Sequence, residues 1–235
     1  MNTLTVLAIG AHPDDVELTC GATLLLLKQH GVKIGVMDCT RGEMGTRGNA
    51  RLRLKESKNA AQVLGLNFRE NLKLPDGDLS VNHSGLKKTV IQMRKWRPHL
   101  ILAPYSKDRH PDHVACHALV KKAAWVSGLQ KFETGQPPHR PPHVWYYTGR
   151  THLVPAFIID VSQTFAQSLK AIQCYQSQLY QSGQKTDLTN IGRKDFLDEW
   201  EARARYWGSL IQTSYGQAFM TDHPLGIKDP LSLIK

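Results

Sequence analysis

TLTVLAIGAHPDDVELTCGATLLLLKQHG, residues 3–31, is the stretch whose reading decides the fold. It opens as a short apolar run, Thr3 to Ala11, breaks at His12-Pro13-Asp14-Asp15, and resumes as a leucine-rich segment that stops at Gly31. That is the pattern of a strand, a turn and a helix with a glycine stop. The pattern recurs downstream. VKIGVMDCT (32–40) reads as a strand, RLRLKESKNAAQVLG (51–65) as a helix ended by Gly65, and NFRENLKL (67–74) as a third strand. Strands alternating with helices predict an α/β fold with a mostly parallel sheet covered by helices.

A second unit carries the same letters at its turn. GLKKTVIQMRKWR (85–97) reads as a helix, HLILAPY (99–105) as a strand, and SKDRHPDH (106–113) leads into the helix VACHALVKKAAWVSG (114–128). In an open α/β sheet such turns lie at the carboxyl ends of the strands, where ligands bind at a topological switch point. His12 and His113 are therefore expected to meet in one cleft. Farther on, TGQPPHRPPH (134–143) is a loop, HVWYYTG and AFIIDVS are strands, and FAQSLKAIQCYQSQLY (165–180) and KDFLDEWEARARYWGSLI (194–211) are helices. No linker or repeat divides the chain, so residues 1–235 are expected to form one domain.

Composition narrows the function classes. Hydrophobic residues at 41% and charged residues at 21% are ordinary for a folded globular chain. The formal net charge of +10 comes from dispersed Lys and Arg with no aromatic-interleaved basic block, so no nucleic-acid partner is expected. The charge serves solubility, or a few arginines grip a small anionic substrate. Cys20, Cys39, Cys116 and Cys174 form no C-x-x-C pair and are expected as buried, reduced thiols. The N-terminus lacks a basic leader region and its apolar run breaks early, so a cytoplasmic protein without a membrane segment is expected. G-x-G-x-x-G is missing after the first strand, which argues against dinucleotide binding.

His12 and Asp15 stand three apart at a strand-to-helix turn, so both side chains can face one point. With His113 from the second turn they make three zinc ligands and leave an open position, as catalytic zinc requires. Taken singly, either motif is better read as a capping aspartate or a surface histidine; together, at equivalent sheet positions, they favour the metal. Asp14, adjacent to a ligand and pointing elsewhere, is the candidate general base. His110 is placed to stabilise an oxyanion as an imidazolium, with Asp112 either orienting and charging it or capping the helix.

AHPDDVE (11–17) together with HPDH (110–113) resembles the LmbE/PIG-L family of zinc-dependent N-acetyl sugar deacetylases. The similarity continues through TRGEMGTRG (40–48), LPDGDL (74–79), APYSKDRHPDH (103–113) and AIQCYQSQL (171–179). Within the family it most resembles members that act on N-acetylglucosaminyl malate in bacillithiol synthesis. The resemblance implies a Rossmann-like three-layer α/β/α sandwich, one zinc on His12, Asp15 and His113, Asp14 as base and His110 as the transition-state histidine. It also implies a homo-oligomer, with a hexamer among its forms, and a small acetylated amino sugar as substrate. Where the family usually has glutamate after Asp-Asp this chain has Val16, with Glu17 one later, read here as a first-turn acid favouring the helix dipole. Similarity further points to Arg53, Arg109, Glu43 and Asp76 for substrate contacts, an arginine fork suiting a malate carboxylate. Arg53 equally fits a solvated helix face. Arg140 would gate the cleft or stand as an ordinary loop arginine, and the tryptophans are read as core or subunit contacts. Two other readings of the site are a metal-dependent phosphoesterase and a non-catalytic sugar-binding protein.

Overall fold

The computed structural model describes residues 5–183 and 189–233. At its centre is β1 (Thr5–Gly10), all six residues buried, paired in parallel with β2 (Lys33–Asp38) on one side and β4 (Leu100–Pro104) on the other. A strand buried on both faces reads as a continuous apolar run, which is why TVLAIG shows no alternation. β3 (Phe68–Asn71) continues the sheet beyond β2, and β5 (His143–Tyr147) pairs in parallel with β4.

Chain order reverses between β1 and β4, which leaves a crevice at their carboxyl ends. The helices that follow these strands are α1 (Asp15–Gln29) and α4 (Pro111–Val126), so both motifs open onto that crevice. α4 and α3 (His83–Trp96) pack on the sheet face carrying Leu7 and Ile9, whereas α1 packs on the face carrying Val6 and Ala8. α2 (Ala50–Val63) and α5 (Phe165–Gln173) join α1 through Leu25, Ala60, Leu64 and Tyr175.

The carboxyl-terminal part differs from the sequence expectation. β7 (Gly216–Thr221) lies antiparallel between β5 and β6 (Phe157–Asp160), giving the order β3-β2-β1-β4-β5-β7-β6. GQAFMT gives no strand signal in the sequence, because its apolar residues are too few to show a period. The helix expected over 165–180 ends at Gln173, and the chain turns through Tyr175 so that Ser177 reaches α2 and donates from its amide and hydroxyl to Glu56. The last helix, α6 (Phe196–Ser209), keeps nearly its expected span. Gly31 and Gly65 end their helices at φ 75° and 63°, a region open to glycine without steric cost.

Glu17 stands in the first turn of α1, as expected, but it also carries a buried ion pair. Its side chain is fully buried, 2.5 Å from Nη1 of Arg69, whose Nε and Nη2 each donate to Asp38 at 2.8 Å. α1 is thereby tied to β2 and β3 by buried charge. Cys20, Cys39 and Cys116 are buried free thiols, as expected, and Cys174 is half-buried. Among the described residues no helix is long and apolar enough to cross a membrane.

Candidate active site

The turn after β1 is built for close approach. A Cβ on Gly10 would stand 3.1 Å from both the Asp15 Cβ and the His12 carbonyl oxygen. The His12 amide donates to Asp15 Oδ2 at 2.8 Å, folding the carboxylate back toward the imidazole. Between them Asp14 adopts φ 118°, a left-handed conformation that costs a non-glycine residue about 1–3 kcal/mol and persists where the surroundings over-determine it. Asp14 occupies the cap position of α1, yet its side chain makes no cap hydrogen bond. Its Oδ2 lies instead 2.9 Å from Nη2 of Arg53, which also donates to the Pro13 carbonyl.

His12, Asp15 and His113 come together with one ligand atom each, all within 4.8 Å of one another. Asp15 Oδ2 is 3.5 Å from His12 Nδ1, and Asp15 Oδ1 is 3.2 Å from His113 Nε2. The far ring nitrogens are backed by carboxylates: His12 Nε2 by Asp76 at 3.0 Å and Asp112 at 3.1 Å, His113 Nδ1 by Asp108 at 3.2 Å. Such backing fixes tautomer and ring orientation in histidines that hold metals. A second group, His12, His110 and Asp112, shares His12. It fits an ion less well, because Asp112 already accepts the amides of Gly77 and Leu79, and His110 Nδ1 accepts the amide of Asp112.

The electrostatics call for a cation. Burial alone would lower both ligand histidines, but Asp112, Asp15 and Asp76 hold His12 well above its ordinary value, and Asp15 and Asp108 carry His113 up to about 10. Burial would raise Asp15, and the two imidazoles hold it well below the usual carboxylate range. Two nitrogens and an oxygen in a pocket lined by carboxylates match the donor set of a divalent ion that would displace those protons. Asp14 goes the other way: burial, opposed by Arg53 and reinforced by Asp15, lifts it to about 7.

Two expected catalytic roles change. Asp112 does not turn its carboxylate to His110 but supports His12 instead, because the chain from Gly77 to Leu79 and the His12 ring converge on it. His110 is not favoured as an imidazolium. Burial, then the neighbouring His12 and His113, push its pKa down, and both of those rings stand 4.8 Å away. With Nδ1 accepting a backbone amide, the neutral ring carries its proton on Nε2 and remains a donor.

These groups open on a cavity of about 360 Å³. Arg53, Asp76 and Arg109 line it; Glu43 does not, its carboxylate being taken by the amide and guanidinium of Arg41. Asp76 is held by His12 and by the Met44 amide. Arg53 is buried against Asp14, not on a solvated helix face. Arg109 is exposed and has no ion pair or hydrogen bond among the described residues. Arg140 is outside the cavity, stacked 4.0 Å over the exposed Trp125. Trp200, read as core or contact, lines the cavity together with Phe196, Arg150 and Asn190. Sequence reasoning missed Asp108 although it stands inside SKDRHPDH, two residues before His110; it missed Arg150 and Asn190 because no motif surrounds them.

The family model for PIG-L, GlcNAc-PI de-N-acetylase, matches residues 7–124, which contain both histidine motifs. The chain belongs to this family. It is therefore a hydrolase of N-acetyl groups, which sets aside the phosphoesterase and non-catalytic readings. Diacetylchitobiose deacetylase of Thermococcus kodakarensis is 31% identical over 90% of this chain and 80% of its own length. The conserved protein TT1542 from Thermus thermophilus superposes with a TM-score of 0.87 at 34% identity, covering 97% of this chain and 98% of that one. N,N'-diacetylchitobiose deacetylase from Pyrococcus horikoshii, solved with its inhibitor MPG, gives 0.78 at 27% identity over 93% of this chain and 83% of that one.

Proposed function

We propose that this chain is a zinc-dependent deacetylase of N-acetylglucosaminyl compounds with an anionic aglycone, N-acetylglucosaminyl malate foremost, releasing acetate and the free amine. The observation that carries the reading is Asp14, buried and left-handed beside the His12–Asp15–His113 trio, with its carboxylate outside the ligand set and held by Arg53. Zinc on the trio would polarise the acetamide carbonyl and acidify a water. Asp14 takes the proton of the attacking water and delivers it to the departing nitrogen as the C–N bond breaks. His110 donates from Nε2 to the oxygen on which negative charge develops. Arg109, at the cavity edge and free of other partners among the described residues, grips the aglycone carboxylate.

Zinc-loaded protein is to be given N-acetylglucosaminyl malate, N,N'-diacetylchitobiose and N-acetylglucosamine, and the amine released measured. The malate glycoside should show the highest kcat/KM. A preference for diacetylchitobiose, in line with the named relatives, would remove the anionic aglycone; no amine from any of the three would remove all three as substrates and point to another N-acetyl sugar. Arg109→Ala should lose a charge-assisted bond of about 1.5–3 kcal/mol, roughly a 10–150-fold fall in kcat/KM on the malate glycoside, with little change on N-acetylglucosamine. Equal losses on both would take Arg109 out of aglycone recognition.

The metal assignment has its own test. His113→Ala should abolish tight zinc binding, and Asp108→Asn, which keeps every ligand but removes the carboxylate behind His113, should weaken it about 10–100-fold in chelator competition. Unchanged zinc occupancy in His113→Ala would place the metal elsewhere.

A further inference from the structure

We propose that Gln178, with the glycine turn 42–48, is a positioning element for the base: it fixes the Arg53 guanidinium, and Arg53 fixes Asp14. The proposal rests on the reading of Asp14 as base. Arg53 reaches residues 13 and 14 at once, with Nη2 on both the Asp14 carboxylate and the Pro13 carbonyl. It thus spans the turn in which Asp14 is held at φ 118° and supplies the over-determination that such a conformation needs. Its own aim is set from behind. Nη1 donates to Gln178 Oε1 at 3.4 Å, and Gln178 Nε2 donates to the Arg47 carbonyl at 2.8 Å and to Ser177 Oγ at 2.9 Å.

The glycine turn closes the other side. A Cβ on Gly42 (φ 66°) would fall 2.7 Å from Arg53 Nη1, and one on Gly48 (φ 76°) would fall 2.9 Å from Ser177 Oγ. TRGEMGTRG and AIQCYQSQL are therefore two halves of one collar around a buried guanidinium. Arg53 Nε is buried without a partner, so the group is not placed to maximise its own hydrogen bonds. With Nη2 on Pro13 and Asp14 and Nη1 on Gln178, Arg53 acts on the turn of Asp14 from the wall of the cavity. Lysine keeps the charge but cannot hold Pro13, Asp14 and Gln178 together.

Arg53→Lys, Gln178→Met and Asp14→Asn are to be compared with the parent for zinc content, kcat and KM on N-acetylglucosamine, and by crystal structures of the metal-free proteins. A displacement near 1 Å at a reacting group costs up to about 10²-fold, so kcat should fall roughly 10–100-fold in Arg53→Lys and less in Gln178→Met. Zinc content should hold and KM should stay within about twofold. In the crystals the Asp14 carboxylate should leave its parental position in both variants. A raised KM with unchanged kcat would make Arg53 a substrate ligand and overturn the proposal, as would an Asp14 unmoved in both crystals. If Arg53→Lys fails to fold, Gln178→Met decides by the same two readouts. Full turnover in Asp14→Asn would overturn the base itself; loss there with normal kcat in both other variants would overturn only the positioning role.

Discussion

Asp14→Asn is expected to keep its zinc and lose about 10²–10⁴-fold in turnover, the range that general acid–base catalysis contributes. The amide preserves the shape of the carboxylate and can still accept from Arg53 through its oxygen, so the contact that holds the turn survives in part. Asparagine also tolerates positive φ better than most residues, which suits the backbone at 118°. What is lost is the ability to take a proton. Asp14 stands outside the trio His12, Asp15 and His113, so metal content measured alongside kcat separates the role of base from that of ligand. A variant with full zinc and near-normal kcat would show that another group takes the proton from water.

The half of the fold that builds the site was legible because it repeats one local grammar. β1 and β4 are apolar runs ending in polar turns, and the parallel order placed His12 and His113 at neighbouring strand ends before any distance was known. What stayed hidden depends on contacts between residues remote in sequence. Asp112 is two residues from His110, and local spacing favoured that pairing; the fold instead brings His12, a hundred positions away, to its carboxylate. Gln178 sits in a segment whose apolar spacing continues a helix, yet the backbone turns to bring Ser177 and Gln178 against α2 and the glycine turn. Arg69 occupies a strand, FREN, with no apolar alternation, so nothing local marks it as a buried cation. The lowered pKa of His110 likewise needs His12 and His113 to be known as neighbours.

Arg69→Met should be the most destabilising single change outside the cavity, by about 3–5 kcal/mol, since removing one partner strands the other as uncompensated buried charge. Here there are two such partners. Arg69 makes a paired contact with Asp38 and also bonds Glu17 and the Ser57 carbonyl. Tyr175 would still donate to Glu17 Oε1 at 3.1 Å, but Oε2 has no partner even with Arg69 in place. For a chain of this size the loss corresponds to a fall in Tm of roughly 6–20 °C. The deficit should depend on pH. Burial already raises the Asp38 pKa against the opposing pull of Arg69, and without that guanidinium it rises further. A carboxyl whose folded pKa exceeds its unfolded value gives its greatest stability when protonated in both states, and that contribution is lost as pH rises through the folded pKa. The Tm difference between parent and Arg69→Met should therefore be widest near neutral pH and narrow on acidification. Adding Glu17→Gln and Asp38→Asn to Arg69→Met removes both stranded charges and should recover part of the lost Tm at neutral pH. A single variant that melts within about 2 °C of the parent would mean that water or a local shift satisfies both carboxylates, and that the tie between α1 and the sheet does not depend on charge.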